Sequence, residues 1–295
     1  MRLQSVTIVG VGLIGGSIGM ALRARGLAQR VVGLGRDADR LAVAQRMSAI
    51  DVAETDEARA FADASVVVAC TPVNQIAAAL KRAAQLSPAD ALLTDAGSTK
   101  AAIASELALE PPTRHRFIGA HPIAGAEFSG VEHARADLFQ GSVCVLTPTE
   151  YTDVRHLRRA EEFWASIGCR ILCLTPDDHD QALARSSHLP HIVASAIARD
   201  LPPRWHALAG GGFRDTTRVA ASQTELWTAI FLENQKPILE ALVTLQESLE
   251  GLRAALERAD AEAIANWWEQ GRAARLMYNQ AYRAMTQLTS RRSDS

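Results

Sequence analysis

Short apolar runs alternate with amphipathic stretches along the first part of the chain. "SVTIVG" (5–10), "RVVGLG" (30–35), "SVVVAC" (65–70), "ALLTDAG" (91–97) and "RFIGAH" (116–121) are nearly continuous in apolar residues. Strands read this way when helices cover both faces of their sheet. Between them, "GGSIGMALRARGL" and "NQIAAALKRAAQL" carry the spacing of helices. Strand, helix, strand in repetition predicts an α/β fold with a Rossmann-type, doubly wound parallel sheet. "SVCVLTP" (142–148) and "CRILCLTP" (169–176) extend that sheet, with a helix between them. After Pro176 the periodicity is helical throughout, interrupted by loops at "LPPRW" and "AGGGFRDTTR". The pattern therefore divides the chain into an α/β part, 1–176, and an all-helical part, 177–295.

Composition narrows the field. The 295 residues are 48% hydrophobic and 22% charged, with a formal net charge of −2. That is an ordinary globular balance, large enough for two cores. A nearly neutral surface attracts neither nucleic acid nor an anionic membrane, so neither partner is expected. No apolar run approaches the ~20 residues of a bilayer span. No basic and apolar leader opens the chain, and a cytoplasmic location is expected. Cys70, Cys144, Cys169 and Cys173 form no C-x-x-C pair, so free thiols are expected and no metal site.

The first strand runs directly into "VGVGLIGGSIG". Gly10, Gly12 and Gly15, with Leu13 and Ile14 between, have the G-x-G-x-x-G spacing of a dinucleotide loop. The spacing supplies a tight turn, room for a pyrophosphate and close helix–strand contact. The phosphates would then sit on free N–H groups at the helix start. The choice of dinucleotide is made at the end of the second strand, where a carboxylate binds the ribose and repels a 2′-phosphate. Gly35 and Arg36 stand there. A guanidinium suits a phosphate dianion, so NADP is favoured. Asp37 and Asp39 lie close by and leave NAD possible.

Ligands of open α/β sheets bind beyond the carboxyl ends of the strands. Thr71 follows the third apolar run, within reach of the cofactor. Ser98 and Lys100 follow the fourth, and His121 and Glu127 the fifth. A histidine beside a hydride acceptor suits removal of a hydroxyl proton from the carbon that loses hydride. In the helical part, His188 and His191 flank a proline and can orient polar groups into a cleft; ligation of a metal is the sharper alternative. Arg218 reads either as a solvated surface residue or as a carboxylate clamp. Trp227 fits a core position by periodicity.

"GVGLIGGSIG", "DAGSTK", "HPIAGAE", "SHLPH", "FRDTTRVA" and "LWTAIFLENQKPIL" follow one another in the order seen in the prephenate/arogenate (cyclohexadienyl) dehydrogenase family of tyrosine biosynthesis. The resemblance spans roughly residues 5 to 280 and implies a nucleotide-binding domain followed by a helical domain that forms a homodimer. It implies NAD(P)-dependent oxidative decarboxylation of prephenate, arogenate or both. His121 matches the family's catalytic histidine, and Ser98 the serine that holds the substrate hydroxyl and that histidine. Arg218 matches the arginine on a substrate carboxylate; His191, Glu127 and Trp227 match residues that shape or gate the pocket. At Gly35–Arg36 the chain departs from the acidic residue of NAD-using members. The chain also ends soon after the helical part, so control by a separate regulatory domain is not expected. A β-hydroxyacid-type dehydrogenase, or a non-catalytic NADP-binding sensor, explains the glycine loop but not "HPIAG", "SHLPH" and "DTTR" together.

Overall fold

The computed structural model describes residues 3–125 and 129–293. Among these, eight strands form one sheet: β1 (Leu3–Val9), β2 (Ala28–Leu34), β3 (Val52–Glu54), β4 (Val66–Ala69), β5 (Leu92–Asp95), β6 (Phe117–Pro122), β7 (Val143–Thr147) and β8 (Arg170–Cys173). Their order is β3-β2-β1-β4-β5-β6-β7-β8. The first six are parallel, so the carboxyl ends of β1, β2, β4, β5 and β6 share one edge. β3 follows no marked apolar run and was not expected from the pattern.

One junction departs from a purely parallel sheet. β7 runs antiparallel to β6, with His121 opposite Val145, and β8 then pairs parallel to β7. The connections differ in kind. A parallel neighbour needs a crossover of a dozen or more residues, usually a helix. The helix Val154–Ser166 supplies one between β7 and β8. The described part of the β6–β7 connection holds only the short 3-10 turn Val131–His133.

Alternation along the strands builds a core on each face. Val6 and Ile8 of β1, with Val66 and Val68 of β4, pack with Ile18, Leu22, Phe163 and Trp164. Val9, Val67 and Ala69 face the other way, toward Ile76, Leu80, Ile103, Leu107 and Ile230. Both faces are dry, which is why these strands show no polar alternation.

The chain divides into two compact units, Met1–Ile238 and Leu239–Ser295. The change from strand to helix near Pro176 and the division after Ile238 are thus two different boundaries. Helices from Pro176 to Glu233 belong with the sheet, and Ile230 sits in one of its cores. The second unit holds most of the helix Gln235–Glu257 and the helix Ala261–Ser293. Trp267 donates to Ser248 Oγ at 3.0 Å within it. Among the described residues, no helix is long and apolar enough to cross a membrane.

Candidate active site

The glycine loop divides its labour as the spacing requires. Gly10 has φ +91°, and a Cβ there would lie 3.0 Å from the Cys70 carbonyl oxygen and 3.2 Å from the Thr71 nitrogen. A Cβ on Gly15 would lie 2.2 Å from the Gly10 oxygen, so only glycine lets the helix Leu13–Ala24 approach β1 so closely. A Cβ on Gly12 would meet no atom within 4 Å. Open space therefore stands before a helix start that no side chain caps. The N–H groups of its first turn, beginning at Leu13 and Ile14, have no partner within the helix. The hydroxyl of Thr71 is buried and without a hydrogen-bond partner among the described residues. Free amides, an open cradle and an unpaired hydroxyl fit a dinucleotide.

At the end of β2, Arg36 is exposed. Asp37 is occupied differently: its Oδ1 accepts from the backbone N–H of Asp39 at 3.0 Å and of Arg40 at 3.1 Å. It caps the helix Ala38–Arg46, which turns its carboxylate to a structural task.

Two buried carboxylates organise the chemistry side. Asp95 ends β5. Its Oδ2 accepts from Gly97 N at 2.9 Å and pairs with the Lys100 ammonium, while its Oδ1 accepts from Ala120 N at 2.9 Å. Asp95 thereby ties the turn that carries Ser98 to β6, one residue before His121. A side chain on Gly119 would lie 3.3 Å from Lys100 Cδ, so this glycine gives the lysine stem its path over β6. Asp180, on the helix Pro176–Leu183, accepts from Lys100 N at 2.8 Å and Ala101 N at 2.9 Å. It caps the helix Ala101–Ala108 from a distant part of the chain.

From Asp180 a chain of side chains leads to His121. Nδ1 of His179 lies 2.7 Å from Asp180 Oδ1. Nε2 of His179 lies 2.9 Å from Nδ1 of His121. His179 and Asp180 are 0% and 2% exposed, and His121 is half-buried. Burial first, then the fields of His179, Lys100 and His188, holds the His121 imidazolium well below its ordinary pKa of 6.5. At neutral pH His121 is therefore a neutral base.

A second histidine group stands on the helices. His188 is 1% exposed; Asn234 Nδ2 donates to its Nδ1 at 3.0 Å and to the Asp180 carbonyl at 2.9 Å. Burial pushes its pKa down to about 4 against the opposing pull of Asp180. His191 donates from Nδ1 to the Ser187 carbonyl at 2.9 Å and stacks on Trp227. Arg218 is exposed at the start of the turn Arg218–Ala221. Among the described residues, no three metal-binding side chains gather.

Residues 18–173 match the model of the prephenate dehydrogenase nucleotide-binding domain, and residues 175–270 that of the prephenate dehydrogenase dimerization domain. The chain belongs to the prephenate dehydrogenase family. It is a dehydrogenase of the kind that serves tyrosine biosynthesis. A prephenate dehydrogenase of Bacillus subtilis is 30% identical over 273 residues, covering 90% of this chain and 74% of that protein. The crystal structure of the Aquifex aeolicus prephenate dehydrogenase, in complex with hydroxyphenyl propionate and NAD+, superposes with a TM-score of 0.87 at 31% identity. That match covers 94% of this chain and 99% of the other. A Synechocystis arogenate dehydrogenase gives 0.81, also at 31% identity, over 93% and 100% of the two chains.

Against the sequence expectations, the structure brings several of the dehydrogenase's residues together. Gly10, Gly12, Gly15 and Thr71 meet at one edge of the sheet, and the turn of Ser98 is fastened to the strand of His121. His188 is interior, edge-on to Trp227 at 5.9 Å between centroids. Trp227 packs against the core by one part and stacks on His191 by another. Glu127 lies outside the described residues. His179, Asp180 and Asn234 were not singled out from the sequence. The available signal was "DDHDQ" after Thr175, a histidine among carboxylates at a helix start.

Proposed function

We propose that this dehydrogenase oxidatively decarboxylates prephenate, arogenate or both, with His121 as the base. The observation that carries the reading is a neutral, half-buried His121 whose Nδ1 is engaged by His179. Its Nε2 has no partner among the described residues. A bound nicotinamide would supply the acceptor for the hydride of the ring carbon that bears the hydroxyl. His121 Nε2 takes that hydroxyl's proton as the C=O bond forms. Cleavage of the carboxylate bond releases CO2, and its electron pair restores the aromatic ring. The oxygen, now phenolate, takes its proton back from His121, so no net proton is lost. Ser98 orients the hydroxyl, Arg218 holds a substrate carboxylate, and His191 and Trp227, with Glu127, bound the substrate. Aromatisation drives the reaction, so orientation, one base and one anchor suffice.

NADP is the preferred cofactor, with NAD also used. Exposed Arg36 beside Gly35 supports this, because Asp37 is committed to its helix cap. The protein acts as a homodimer. Support comes from apolar side chains left exposed on the long helices, among them Leu239 at 54%, Trp268 at 70% and Met277 at 70%. Light scattering should give twice the 31.7 kDa chain mass. Absorbance at 340 nm with each substrate and each cofactor tests the catalytic reading. Turnover with neither prephenate nor arogenate would overturn it.

A further inference from the structure

We propose that His179 and Asp180 are positioning residues that hold His121 in its catalytic tautomer. The inference rests on the reading of His121 as base and deepens it. The Asp180 carboxylate can only accept, so the His179 proton stands on Nδ1. In a neutral His179 ring, Nε2 is then the acceptor, and the His121 Nδ1 that faces it at 2.9 Å must donate. Nε2 of His121 is left bare. The ring planes lie at 63° with centroids 5.1 Å apart, so the two imidazoles meet edge to face along a nitrogen–nitrogen line and do not stack.

The same chain serves the charged state. When Nε2 of His121 gains the hydroxyl proton, its Nδ1 proton can pass to Nε2 of His179, whose Nδ1 stays bonded to Asp180. Positive charge then sits beside a carboxylate, and the reverse shift restores the starting protons. The other groups facing His121 give no such help: Lys100 is cationic and bound to Asp95, and His188 is held by Asn234. A third group that orients a catalytic base through its far nitrogen is a recurrent arrangement in nucleophilic enzymes.

The test uses the full-length enzyme labelled with 15N-histidine, and the variants Asp180→Asn, His179→Gln, His179→Phe and His121→Asn. Long-range 1H–15N spectra of the wild type, with His121→Asn for assignment, should show His121 protonated on Nδ1 and bare on Nε2. In Asp180→Asn the amide oxygen still accepts from His179 Nδ1 and Lys100 N, so the tautomers stay, but the negative charge behind the relay is lost and kcat should fall by about tenfold or more with KM and dinucleotide affinity nearly unchanged. Asp180 also caps a helix, so the His179 variants guard against a folding loss. His179→Gln keeps an acceptor for His121 and should lose less than about tenfold, whereas His179→Phe should lose ~10² or more. A wild-type His121 protonated on Nε2, or a His179→Phe enzyme with normal kcat, overturns the relay while an inactive His121→Asn leaves the base in place. A fully active His121→Asn overturns both.

Discussion

The imidazole of His191 lies flat on the indole of Trp227, with ring centroids 3.7 Å apart and planes 28° apart. Trp227 is itself tilted against Phe231 at 5.4 Å, and Phe231 packs on the core. The stack therefore carries the orientation of His191 back to the sheet. Trp227→Ala should raise KM for the substrate by about tenfold and lower kcat less, since a stack of this kind is worth roughly 0.5–1.5 kcal/mol. Steady-state kinetics with a melting curve decide it. A lower Tm with unchanged KM would make Trp227 a core residue only.

His188 should make stability depend on pH. It is neutral and buried in the folded protein, with its pKa depressed from 6.5 to about 4. The unfolded chain binds its proton more readily, so stability is full above pH 6.5 and is lost as pH falls toward 4. The loss should amount to about 3 kcal/mol. Urea midpoints measured between pH 7 and pH 4 should show this slope, and His188→Gln should flatten it. An unchanged slope in the variant would assign the effect to other groups.

Arg218 stands exposed at the head of its turn, where a carboxylate can approach it. Arg218→Ala should mainly raise KM, because a carboxylate anchor acts in the ground state and the transition state alike. Losing such a charge-assisted pair costs on the order of 2–4 kcal/mol. A variant with unchanged KM and lower kcat would contradict the anchor.

Cofactor choice should turn on two adjacent residues. A Cβ on Gly35 would lie 3.4 Å from Leu41, ordinary contact, so a carboxylate can be introduced there without displacing the strand. Gly35→Asp with Arg36→Ile supplies a ribose acceptor and removes the phosphate ligand, and should reverse a preference for NADP. The ratio of kcat/KM for the two cofactors measures it. A double variant that still prefers NADP would exclude Arg36 as the residue that reads the phosphate.

Most of the sheet was legible in the chain because its signals are local. Continuous apolar runs marked seven of the strands, and the glycine spacing marked the loop at the first. β3 was not legible: three half-buried residues, Val52, Ala53 and Glu54, make too short a run to stand out from a turn. His121 stood out as the candidate base because its neighbours form a recognisable motif and because it follows a strand end.

The amino-acid sequence by itself determined the strand–helix alternation, the glycine cradle and the family to which the chain belongs. All three are written in spacings of a few residues, which periodicity and motif reading detect. The tertiary structure alone decided what stands behind His121. His179 is 58 residues away in the chain and Asp180 is 80 residues from the Lys100 amide it accepts, so no local pattern links them. It also decided the antiparallel step at β7 and the dual place of Trp227. These depend on which elements meet when apolar faces are buried, and burial acts between surfaces without regard to separation along the chain.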